Sequence, residues 1–196
     1  RWQHAKRGWI APQLFVPVAE ETGLISSLGD WVLREACKVA KDWPKLAIAV
    51  NLSPVQFCDE GFAERTCQIV RAAGVSAHQI EFEVTEGVVL DQNESVRGAL
   101  KRLRQEGFRI ALDDFGTGYS SLSYLRDFEV DRIKIDKSFV QGLGQTVDAG
   151  AIVTAVVTLG HAMGLQVTAE GVETSDQEDF LRSAGCNVLQ GFLFSR

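Results

Sequence analysis

Short β-rich runs alternate with longer helical patterns along this chain, and that alternation restricts the folds open to it more than any other feature. Leu46–Leu52, Gln79–Thr85, Arg109–Phe115, Val130–Asp136, Leu165–Glu170 and Asn187–Gln190 read as strands. Between them, Ile25–Trp43 carries apolar residues at Leu28, Val32, Leu33, Ala36 and Val39, the three-and-four spacing of a helix face. Phe62–Ala73, Ser95–Gln105, Asp148–Met163 and Asp176–Ala184 read as further helices. Gly74, Gly107, Gly164 and Gly185 each follow a helical run, where a left-handed cap is expected. Strands that alternate with helices predict βαβ units and a parallel sheet. Right-handed crossovers then wind such units into a barrel or a doubly wound sheet. Six strands are visible, whereas a closed (β/α)8 barrel needs eight and about 250 residues. The shortfall fits a barrel cut at its N-terminus.

At 196 residues the chain suits one domain. It is 45% hydrophobic and 23% charged, so a full core is available. A net charge of -6 argues against a binder of nucleic-acid polymers, which needs clustered Lys and Arg. Cys37, Cys58, Cys67 and Cys186 match no zinc spacing and are expected as buried, reduced thiols of a cytoplasmic protein. His4, His78 and His161 lie far apart, which argues against a histidine-built metal site. The apolar run Ala151–Leu159 is too short to span a membrane, so no membrane contact is expected of this domain. The chain opens abruptly on Arg1-Trp2-Gln3-His4 and closes abruptly on Phe194-Ser195-Arg196, as a piece of a longer protein does.

The strand ends carry the chemistry. Each predicted strand finishes on polar groups: Asn51; Glu83 and Glu86; Asp113 and Asp114; Lys134 and Asp136; Glu170 and Glu173; Gln190. Any one of these alone is ordinarily a helix cap or a solvated loop charge. In a barrel the whole set converges on the face that holds the active site. Converging Asn, Glu and Asp oxygens suit Mg²⁺ or Mn²⁺ rather than zinc or copper. The adjacent Asp113 and Asp114 repel unless a cation lies between them. Asp113 would then bridge two ions, Lys134 would meet a phosphate or orient a water, and Glu170 would be a general base. The loop Gly116-Thr117-Gly118-Tyr119-Ser120-Ser121 lacks the third glycine of a dinucleotide motif and reads as a flexible cover of the metal site.

These residues, in this order, resemble the EAL domain family of cyclic di-GMP phosphodiesterases. The likeness runs from Arg1-Trp2 through Phe15–Glu20 (FVPVAE), Gly23-Leu24-Ile25, Val50–Ser53 (VNLS), Gln56-Phe57 and Glu83–Glu86 (EVTE). It continues through Asp113–Leu125 (DDFGTGYSSLSYL), Lys134-Ile135-Asp136, Ser138-Phe139-Val140, Ala169–Thr174 (AEGVET) and Gln190–Arg196 (QGFLFSR). The resemblance implies an EAL domain over 1–196, an α/β TIM-like (β/α)8 barrel incomplete at the N-terminus and at the C-terminus, with an N-terminal hairpin and the first strands upstream of this chain. It implies hydrolysis of one phosphodiester of cyclic di-GMP to linear pGpG, with two Mg²⁺ or Mn²⁺ ions. By the same likeness Asn51, Glu83, Asp113, Asp114 and Glu170 match metal ligands. Glu170, Lys134 and Glu173 match the catalytic set. Arg1, Gln190 and Asp136 match substrate-binding positions, and Glu86 matches the anchor of the loop after Asp114. A homodimer through Ser120–Phe128 and the helix from Asp148 is implied, with sensor or diguanylate cyclase domains and a membrane tether on the full-length chain. Two departures stand out. The Glu-Ala-Leu that names the family, whose Glu is a ligand, is expected upstream of Arg1, and Ala5 stands where the family often has Pro.

Three other readings compete. Some relatives have lost catalytic residues and only bind cyclic di-GMP as receptors, but the DDFG loop, Lys134 and the AEGVE glutamates are intact here. A Schiff-base aldolase would use Lys134 as nucleophile, but acidic neighbours keep a lysine protonated. A scaffold would not need charged groups at six strand ends.

Overall fold

The computed structural model describes residues 2–90, 93–116 and 128–195. The chain divides into two compact units, Arg1–Phe82 with Glu94–Phe108, and Glu83–Asn93 with Arg109–Arg196.

The first unit opens with an antiparallel hairpin of β1 (Trp2–His4) and β2 (Gly8–Ile10). His4 Nδ1 accepts the Lys6 and Arg7 amides at 3.1 and 3.3 Å, and Gly8 turns the chain at a φ of 70°. This hairpin lies inside the chain, where the sequence reading placed no element. Helix α1 (Pro12–Glu21) follows, with Pro12 in the first turn, where a missing N–H costs no bond. Helix α2 (Ile25–Asp42) buries Leu33, Ala36, Cys37 and Ala40. Val32 and Val39, expected on that face, are exposed instead. The buried side of α2, with the small residues Ala36, Cys37 and Ala40, packs near β3 (Ile48–Asn51) and α3 (Phe62–Ala72). β3 neighbours β4 (Ile80–Thr85), whose first residues belong to this unit, and α5 (Glu94–Gln105) lies on α3. Aromatic pairs fill the core: Phe57 against Phe62 at 5.3 Å and Phe82 against Phe108 at 5.1 Å between ring centroids.

The second unit holds the end of β4, α4 (Glu86–Leu90), β5 (Arg109–Phe115), β6 (Arg132–Ile135), α6 (Lys137–Gln141), α7 (Val147–Ala162), β7 (Gln166–Ala169), α8 (Ser175–Ala184) and β8 (Val188–Leu189). Strands β4 to β8 are neighbours in chain order, and β5/β6, β6/β7 and β7/β8 pair in parallel. Helices α6 and α7 separate β6 from β7, and α8 separates β7 from β8. This is the α/β strand–helix order of a TIM-like barrel. The strands are apolar because helices cover them: Ile133, Ile135, Val167 and Ala169 are wholly buried. α7 lies so close to β7 that a Cβ on Gly160 would stand 2.5 Å from Val167 Cγ2. Both glycines expected to cap helices here, Gly164 and Gly185, have positive φ, as do Gly74 and Gly107 in the first unit.

The cysteines need one correction. Cys37 and Cys67 are buried and unpaired as expected, but Cys58 is exposed and Cys186 half-buried. Cys58 ends a short 3-10 turn, Pro54–Cys58, which buries Gln56 and Phe57 in its place. No helix among the described residues is long and apolar enough to cross a membrane.

Candidate active site

The centre of the second unit's polar face is a fault in a ladder. β5 and β6 pair regularly through Leu112 and Ile133, then resume at Phe115 and Ile135. Asp113 and Asp114 therefore face the single residue Lys134. Two residues against one is a β-bulge, a device that re-aims side chains. Asp114 takes the left-handed conformation, φ 55°, which Asp tolerates better than most residues. Its amide donates to Asp113 Oδ1 at 3.1 Å.

Lys134 stands between carboxylates from β4, β5 and the loop that follows β7. Its Nζ is 2.7 Å from Glu83 Oε1, 3.0 Å from Asp113 Oδ1 and 2.7 Å from Glu170 Oε1. An ammonium has three donors, and all three are used. That matters because Lys134 is only 4% exposed, and a buried charge without full pairing is strongly destabilising. Burial works against its charge, yet the hydrogen bonds to Glu170 and Glu83 outweigh it and hold Lys134 above the ordinary lysine value. A lysine hydrogen-bonded to three carboxylates is a poor amine nucleophile, which argues against the Schiff-base reading.

One ammonium does not balance three carboxylates. Burial pushes the Glu170 carboxyl up despite its bond to Lys134, and the charges of Asp113 and Glu83 push the same way. Asp114 is raised too, by burial and by the nearby Asp113 and Asp136 carboxylates. Among the described residues no three His, Cys, Asp or Glu form a ready-made metal cage. The donor set nevertheless fits a hard divalent cation: every donor is oxygen, and the cluster carries more negative charge than Lys134 neutralises.

The remaining expected residues sit as follows. Asp136 caps α6, accepting from the Ser138 amide at 3.0 Å and from its hydroxyl. Although burial opposes it, these bonds and Lys137 hold the Asp136 carboxyl below its usual range. Glu86, buried at the start of α4, accepts the Gly116 amide at 3.3 Å, at the root of the loop it was expected to anchor. Glu173 is exposed and accepts from Gln141 Nε2 at 3.4 Å. Gln190 is exposed, and its backbone bonds to Ala169 and Val172. Asn51 ends β3 in the first unit and is exposed there. Arg1, Thr117–Ser121 and the dimer segment up to residue 127 lie outside the described residues.

Sequence reasoning missed the residues that hold the loop after β7. The buried Gln177 accepts the Glu173 and Thr174 amides and donates to the Val140 carbonyl. Gly171 lies against Lys137, whose Cβ would be 2.6 Å from an added methyl group. Gly191 lies on the Val172 backbone, with 2.1 Å left between an added Cβ and the Val172 carbonyl oxygen. The signal for Gln177 was present: Thr174 and Gln177 have the spacing of a capping box, and both of its bonds form.

The family model for the EAL domain matches residues 1–196. The bifunctional diguanylate cyclase/cyclic di-GMP phosphodiesterase MucR of Pseudomonas aeruginosa is 41% identical over all of this chain, which covers 29% of MucR. The solved PaMucR phosphodiesterase in complex with c-di-GMP superposes with a TM-score of 0.95 at 41% identity, over 100% of this chain and 81% of that one. BlrP1 of Klebsiella pneumoniae, solved with manganese and cyclic di-GMP, matches with a TM-score of 0.83 at 34% identity, over 96% of this chain and 48% of that one. The chain spans about a quarter of the length of the first curated relatives, 24% of each.

Proposed function

The chain belongs to the EAL domain family, and from that premise we propose that it is the catalytic domain of a metal-dependent phosphodiesterase that hydrolyses cyclic di-GMP to linear pGpG. The observation that carries the proposal is the convergence of Glu83, Asp113 and Glu170 on Lys134 at the strand ends.

Glu83, Asp113, Asp114 and Glu170 are the proposed ligands. A divalent cation held by them polarises phosphoryl oxygens and makes water more acidic. Asn51 and Arg1 join as a further ligand and a phosphate contact on the family likeness alone. Glu170, at the strand end and 2.7 Å from Lys134, is the group proposed to take a proton from the attacking water. Lys134 stays positive and hydrogen-bonds that carboxylate, fixing its orientation and screening the charge that builds on the phosphorus oxygens. Asp136, Glu173 and Gln190 are proposed to line the substrate side. Water adds across one phosphodiester, its oxygen bonding to phosphorus as the bond to the ribose oxygen breaks, and the proton passes to the leaving oxygen.

The finer reading is Mg²⁺ or Mn²⁺ as the ion, two per site; the manganese complex of the BlrP1 relative supports the choice of ion, and the pair rests on the family likeness. A homodimer, and sensor or diguanylate cyclase domains on a longer chain that works in the cytoplasm or is tethered to a membrane, complete it. The two-activity description of MucR supports the multidomain part.

The test is chromatography of cyclic di-GMP incubated with the protein and Mn²⁺. Chelator-sensitive pGpG, abolished by Glu170→Ala, supports the enzyme. Tight binding without pGpG would make the domain a receptor instead.

A further inference from the structure

We propose that Gln177 is a positioning residue of this active site, locking the loop that carries Glu170 and Glu173 to the helix that follows the Lys134 strand. The inference rests on the phosphodiesterase reading of the site.

Gln177 is 9% exposed. Its Oε1 accepts the Glu173 amide at 2.8 Å and the Thr174 amide at 3.1 Å. Its Nε2 donates to the Val140 carbonyl at 3.2 Å. A primary amide has two donors and an acceptor with two lone pairs, so three of four bonding positions are filled. The bonds reach two strand-end segments. One, Glu170–Thr174, follows β7. The other, α6, follows β6 through Asp136 and so continues the strand of Lys134.

The start of the first segment is already held. The Glu170 amide donates to the Ile135 carbonyl at 3.2 Å, and Val172 exchanges backbone bonds of 3.0 Å with Gln190 and Leu193. Its end, Glu173 and Thr174, is linked to α6 among the described residues by side chains: Gln177, and the longer contact of Glu173 with Gln141 at 3.4 Å. A capping box accounts for the bond to Thr174. It does not account for the Val140 bond, which contributes nothing to capping α8. That bond makes Gln177 a tie between the loop after β7 and the helix after β6, and a buried tie of this kind fixes how a carboxylate meets its lysine.

The experiment compares Gln177→Met, Gln177→Glu and Thr174→Ala by steady-state hydrolysis of cyclic di-GMP with Mn²⁺. Hydrogen exchange of the 170–174 and 137–142 segments is followed in parallel. Gln177→Met is expected to lower kcat roughly 10–100-fold, the usual effect of losing a residue that orients a ligand, with KM little changed. Both segments should exchange faster together. Gln177→Glu keeps the acceptor and loses the donor, so its kcat should fall between those of the Met variant and the parent. Should the Met variant not fold, the Glu variant carries the comparison. Thr174→Ala removes the other half of the cap and should lower thermal stability while kcat stays within about twofold. Wild-type kcat in both Gln177 variants, or an equal kcat loss in Thr174→Ala, would overturn the proposal. If the parent protein makes no pGpG, the phosphodiesterase reading fails by itself. The exchange data then decide: joint loosening supports the tie and unchanged protection refutes it.

Discussion

Lys134 and Asp113 meet at 3.0 Å across the β5–β6 ladder, at the point where two residues of β5 face one of β6. The bulge brings the adjacent aspartates level with the lysine, and the lysine in turn gathers Glu83 and Glu170. A backbone irregularity thus sets the charge pattern of the site.

Lys134→Met removes the ammonium that Glu83, Asp113 and Glu170 surround. These carboxylates then lose the ammonium they share, and breaking a buried ion pair costs about 3–5 kcal/mol. The variant should melt well below the parent protein, and Mn²⁺ should recover part of the loss by supplying positive charge. Turnover should fall roughly 100-fold or more. Thermal unfolding with and without Mn²⁺ checks the first claim, and a melting temperature equal to the parent's would refute it.

Gly191→Ala tests the packing of the loop after β7. The added methyl carbon would stand 2.1 to 2.7 Å from Val172 backbone atoms, so the loop must move. A displacement of about 1 Å near reacting groups can cost about 100-fold in rate. Steady-state kinetics on the folded variant should show that loss in kcat.

Glu86→Ala removes the acceptor of the Gly116 amide, at the root of the loop that leaves β5. The expected effect is a roughly 10–100-fold loss of activity with the fold intact, as for other residues that orient ligands from behind. Circular dichroism and turnover on one sample separate the two.

The strands were legible because each is apolar inside and polar at its tip. Arg109–Phe115 was read to the residue. The hairpin Trp2–Ile10 was not, because its strands have three residues each and are largely exposed, which leaves no periodicity to read. Helix α1 was missed because Pro17 interrupts its pattern. The strand-tip residues showed in the sequence as chemistry gathered on one face, but their individual contacts did not. Nothing in Asp113-Asp114 announces a bulge, and nothing in Lys134 announces three partners. Gln177 had a local signal, its capping box, while its bond to Val140 depends on tertiary packing alone.

Acid stability should depend on Asp59. The hydrogen bond from Arg65 at 2.7 Å, with the Gly61 amide, holds its carboxyl below the ordinary value of 3.8. A depressed carboxylate stabilises the fold above its unfolded pKa, and that contribution is lost as pH falls through the folded value. Asp59→Asn should therefore melt below the parent at pH 7, by a small margin because Asp59 is largely solvated. The gap should close as pH falls below about 3.8. A gap that is constant with pH would contradict this account.

The most direct measurement titrates Mn²⁺ into the metal-free protein and into Asp113→Asn, following manganese by electron paramagnetic resonance and pGpG by chromatography in the same samples. The account predicts that binding and hydrolysis rise together in the parent protein and that both are lost in the variant. Hydrolysis by the metal-free protein, or manganese bound equally well by Asp113→Asn, would contradict it.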